Sequence, residues 1–85
     1  MTVEQLERLV EAVETVVDIV RESDGEVLSV HIPSKTTGGK PYVHLSEDAF
    51  AGLFGHVDAV PHSSDYDRRA IDARGIEVLS LKVKQ

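Results

Sequence analysis

The chain predicts an α+β fold: a long N-terminal helix packed on a small antiparallel sheet of three to five strands, with one short helix inserted. Three observations lead there. Apolar residues recur at helical spacing over the first twenty-odd positions, two short alternating runs flank a loop rich in Gly, Ser, Thr and Pro, and the C-terminal segment is dense in branched residues. Eighty-five residues hold enough apolar material for one core, so a single domain over 1–85 is expected.

Thr2-Val-Glu-Gln5 has the spacing of a capping box, in which the Thr2 hydroxyl and the Gln5 amide satisfy the first free amides. Val3, Leu6, Val10, Val13, Val17 and Val20 then alternate at three and four, and Asp24-Gly25 supplies a stop, so a helix over about 2–23 is expected. Its many valines lower the intrinsic propensity, which leaves packing to hold it. Leu9, Ala12, Val16 and Ile19 widen the apolar arc beyond the single stripe that covering a sheet requires. Either a loop of the same chain or a second copy must cover the surplus, and three short heptads permit a helix–helix seam. Glu4, Glu7, Glu11, Glu14 and Asp18 form an acidic ridge on the other flank. A solvated face is the plain reading of such a ridge, and an interaction surface for a basic partner is the functional one.

Glu26–Ile32 and Pro41–Leu45 read as two strands of a hairpin around the Pro33–Pro41 loop. Ser46 caps a short helix over about 46–54, with Glu47 and Asp48 in the first turn where the helix dipole favours acids. Phe50 and Phe54 are its core anchors, and Gly55 ends it. A strand is expected over 56–60 and another over 76–83. Residues 65–74 suit a helix by composition, or a strand over 67–73 that turns at Arg74-Gly75.

The formal charge of −6 is concentrated in the first helix: residues 1–24 carry −5 and the remainder −1. Phosphate binding rests on Lys and Arg, so direct nucleic-acid binding is not expected. The absence of cysteine removes disulfides, zinc–thiolate sites and thiol nucleophiles, and it fits a cytoplasmic location. The chain runs straight into a charged amphipathic pattern, so neither a signal peptide nor a membrane span is expected.

The sharpest candidate for chemistry is a pair of histidines. Aligning the apolar residues Leu28, Val30, Ile32, Val43 and Leu45 on one hairpin face sets His31 directly opposite His44 on the other, near Ser29 and Tyr42. Two imidazoles fall short of the three or four protein ligands that zinc takes, and the plain reading is two polar residues on a solvent-facing strand pair. "HSSD" at His62–Asp65 contains the residue types of a hydrolytic triad, but adjacency in sequence is not convergence in space. "TTGGK" at Thr36–Lys40 lacks the following helix that a phosphate loop needs. Arg68, Arg69 and Arg74 are interleaved with Asp65, Asp67 and Asp72, which balance them locally. No catalytic residue, cofactor or metal ligand set is assigned.

"VHLSEDAFAGLFG" at Val43–Gly55, followed by "GIEVLSL" at Gly75–Leu81, resembles small proteins encoded by phages and prophage-like regions of Gram-positive bacteria. The resemblance spans residues 28–83 with gaps and excludes the first helix. It implies a strand over 67–73 in a terminal meander, and it implies no activity. The expected function is therefore that of a small non-enzymatic interaction or regulatory protein of mobile-element origin, binding a protein partner through the acidic ridge. The alternatives are a His-dependent metal-binding protein or enzyme centred on His31 and His44, and a purely structural homo-oligomer.

Overall fold

The computed structural model describes residues 1–84 and is α+β, with two helices and a five-stranded sheet. Helix α1 spans Val3–Glu22. The Thr2 hydroxyl accepts from the Gln5 amide at 3.1 Å while the Gln5 side chain accepts from the Thr2 amide at 2.8 Å, closing the capping box. At the other end the Ser23 amide donates to the Ile19 carbonyl, and Asp24 and Gly25 both turn into the left-handed region. Glycine takes that conformation freely, and aspartate is among the few other residues that do.

Strands β1 (Val27–His31) and β2 (Tyr42–Leu45) form the expected hairpin, followed by α2 (Glu47–Phe54), β3 (Val60–Pro61), β4 (Tyr66–Ala73) and β5 (Ile76–Val83). The order across the sheet is β1-β2-β5-β4-β3. Every pairing is antiparallel except β2 with β5, so the sheet is mixed where an all-antiparallel one was expected. The crossover explains the difference. Helix α2 carries the chain off the end of β2 and across one face, so β5 re-enters beside β2 in the same direction. Alternation along a strand says nothing about which neighbour it will meet.

Of the two readings offered for 65–74, the structure has the strand, over Tyr66–Ala73, and not the helix. Arg74 and Gly75 both have positive φ, 57° and 83°, and make the two-residue turn that matches the twist of an antiparallel pair. The strand expected over 56–60 is reduced to Val60–Pro61, which pairs with Arg68 and Asp67 of β4.

Side chains of paired residues share a face. Val43, Val78, Ser80 and Lys82 share the face on which α2 packs against β5, where Lys82 and Glu47 tie helix to strand at 3.9 Å. Phe50 is fully enclosed there, while Leu45 and Leu79 are 7% and 8% exposed. Phe54 is not the second core anchor expected of it. It is 36% exposed and meets Phe50 edge to face at 4.9 Å.

Helix α1 departs furthest from expectation. It was expected to pack on the sheet, yet no residue of it is buried. Its last turns alone come near the sheet, where Val16, Ile19 and Val20 face Val30, Val43 and Ile76 across an apolar groove of about 440 Å³. The covering position over the centre of the sheet is taken by α2, and α1 leads into β1, an edge strand. The molecule is accordingly elongated, 49 × 32 × 21 Å, with a radius of gyration of 14.9 Å. A compact chain of this length has about 12 Å.

Candidate functional site

Two sites anticipated from sequence can be located: the surface of α1 and the histidine pair.

On α1, Val3, Val10 and Val17 fall at the a positions of a heptad, and Leu6, Val13 and Val20 at d. Leu9 and Val16 at g, with Ala12 and Ile19 at c, extend the apolar sector to about 160° of the circumference, at 100° per residue. Leu6, Val10 and Val13 are 49%, 48% and 50% exposed, so this sector faces outward rather than into the chain's own core. Val17 and Val20, next to the groove, are half-buried.

The acidic ridge lies along one side of that sector. Glu4, Glu7, Glu11, Glu14 and Asp18 are all exposed, and among the described residues none of the five is ion-paired. Sequence periodicity identified both the ridge and the stripe. That the stripe from Val3 to Val13 is left exposed among the described residues was not readable from periodicity, which cannot say what a helix packs against.

The histidine pair is not assembled as expected. β1 and β2 pair Val30 with Val43, His31 with Tyr42 and Ser29 with His44, a register two residues away from the one that opposes His31 to His44. Proline chemistry accounts for the shift. The expected register needs the ladder to run on past Ile32 to Pro33, which has no N–H to donate, while the Pro41 carbonyl accepts from Glu77 of β5 at 2.9 Å. An irregularity between Val27 and Ser29 then lets Val27 face Leu45, leaving Leu28 56% exposed and Ile32 76% exposed outside the strand. The five-residue apolar patch expected on the hairpin is therefore broken at both ends. A shift of two preserves facing, so both histidines stay on the side away from α2.

On that side His31 lies against the Tyr42 ring, with centroids 5.0 Å apart and a 32° tilt. His44 sits in a shallow groove of about 320 Å³ with Tyr42, His62, Arg68, Leu79 and Leu81. Burial holds its imidazole below the ordinary value. Arg68 is paired with Glu77, so its charge is answered across the sheet rather than by the neighbouring aspartates. Asp67 meets Lys84 at 3.8 Å, and Asp72 meets Lys40 at 3.2 Å. The Gly75 amide, and then the Lys40 ammonium, hold the Asp72 carboxyl below the usual carboxylate range. Among the described residues no three of His, Cys, Asp and Glu converge as metal ligands.

The two remaining motifs are absorbed by turns. The Ser63 hydroxyl accepts from the Asp65 and Tyr66 amides, which makes it a turn acceptor. The Ser34 hydroxyl accepts from the Thr37 amide at the hairpin tip, where Gly38 and Gly39 both have positive φ. No helix of the described residues is long and apolar enough to cross a membrane.

No family model, curated protein or solved structure matches the chain.

Proposed function

We propose that this chain is a small protein-interaction module that acts through α1, with Glu4, Glu7, Glu11, Glu14 and Asp18 as the surface for a basic protein partner. The observation that carries this reading is the exposure of most of an amphipathic helix, every residue from Val3 to Val16 being exposed. A twenty-residue helix with valine at every a position has little stability of its own in water, and burial of its apolar face is what ordinarily holds such a helix. A chain that leaves this face open and lays unpaired carboxylates beside it has the composition of an interaction surface. The resemblance of Val43–Gly55 and Gly75–Leu81 to phage-type proteins favours a mobile-element setting, in which the partner is a host protein and binding is regulatory.

The test compares the wild type with Glu4→Gln/Glu7→Gln/Glu11→Gln/Glu14→Gln as bait for a cell lysate at low and high salt. The substitutions keep side-chain size and helix propensity and remove four charges. The reading predicts a protein that the wild type retains at low salt, releases at high salt and loses in the variant. Retention that is identical in the variant and insensitive to salt contradicts it.

A further inference from the structure

We infer that the apolar sector of α1 is covered by the same helix of a second copy, running antiparallel and seated in the groove between α1 and the sheet. The first support is area. The chain exposes 6649 Å², whereas a folded monomer of its 9.3 kDa mass exposes about 5,000 Å². The surplus, roughly 1,600 Å² per chain, is about twice what each partner contributes to a standard interface and falls in the range of obligate homodimers.

The helix is also complementary to itself. All six a and d positions are apolar and the flanking g positions are Leu9 and Val16, so a twofold partner brings no charge into the seam. Direction follows from where the groove lies. It sits beside the C-terminal half of α1, while the N-terminal half has no sheet next to it. An antiparallel partner lays its Val3, Leu6 and Leu9 over that groove, with Leu6 of one copy facing Val17 of the other, Val3 facing Val20 and Leu9 beside Val16. A parallel partner leaves the two N-terminal halves paired away from both sheets and both grooves open.

The same arrangement sorts the charges. The g flanks of both helices turn toward the sheets, and Glu7 and Glu14 at the e positions of both copies meet on the outer side. The two acidic ridges become one continuous acidic face. The inference shares α1 with the function proposed above but does not depend on the ridge binding anything, and its test reads pairing alone.

Sedimentation equilibrium of the full chain is expected to give twice 9.3 kDa, more firmly as salt rises and screens the clustered carboxylates. A mass of one chain at every concentration overturns the inference, as does any stable mass other than two chains. Because the chain has no cysteine, single replacements report direction cleanly. Mild oxidation of a mixture of Leu6→Cys and Val17→Cys chains is expected to give the mixed disulfide, with neither variant linking to itself. Self-linked Leu6→Cys chains mean parallel helices and overturn the arrangement. Failure of the Gln variants to alter partner capture, with the mass still doubled, removes the ridge function and leaves the pairing standing.

Discussion

His31 faces Tyr42 across the β1–β2 ladder with ring centroids 5.0 Å apart, and His44 faces Ser29. The two histidines are thus diagonal neighbours, about 7–8 Å apart by the ordinary geometry of an antiparallel pair. With His31 resting on the Tyr42 ring and no three of His, Cys, Asp and Glu converging among the described residues, zinc has little to bind. Titration with zinc is expected to leave the ring resonances of His31 and His44 unshifted below millimolar metal. Joint movement of both at micromolar metal contradicts this account of the hairpin.

His44 gives the sheet a pH dependence of definite sign. Burial lowers its folded-state value below the ordinary 6.5, so between the two values the unfolded chain binds the extra proton. Its contribution to stability is complete above about pH 6.5 and falls as the medium is acidified toward the folded-state value. Urea midpoints measured from pH 8 to pH 5 are expected to decline, and His44→Gln is expected to flatten that decline. An unchanged slope in the variant assigns the acid sensitivity elsewhere.

Phe50 is the one fully enclosed large side chain among the described residues. Replacing it by alanine is expected to cost about 3–5 kcal/mol, a loss comparable to the whole stability of a small domain. Circular dichroism melts should show Phe50→Ala largely unfolded near room temperature, whereas Leu53→Ala, at a position 69% exposed, should melt close to the wild type.

Ser80 is 1% exposed beneath α2, and its hydroxyl has no hydrogen-bond partner. Arg69 lies opposite it on β4, with its own Nε also buried and unpartnered. An unsatisfied buried hydroxyl costs about 1–3 kcal/mol. Ser80→Ala is therefore expected to leave the melting temperature unchanged or raise it by a few degrees. A clear drop means that Ser80 and Arg69 bond to each other in solution.

Much of this architecture is legible in the sequence because it is written locally. The capping box of Thr2 and Gln5, the cap of Ser46 and the branched run of β5 each carry their own signal within a few residues. What escapes is long-range or backbone-specific. The parallel pairing of β2 with β5 depends on a crossover of some thirty residues, and β4 has the composition of a helix until the positive φ of Arg74 closes its turn. Aligning apolar faces does not fix the histidine register, because it leaves a choice of shifts by two. That choice is settled by Pro33 and by the Pro41 contact to β5. For the candidate site, the stripe and the ridge were readable from helical period, but the open groove beside them depends on where α2 sits.

In the inferred pairing α1 is held by contacts between chains and not by its own sheet. Amide hydrogen exchange measured at high and low protein concentration tests it most directly. Residues 6–20 are expected to be protected at high concentration and to exchange faster on dilution, while β4 and β5 keep their protection at both. Protection of residues 6–20 that is strong and independent of concentration, with a single-chain mass, would contradict it.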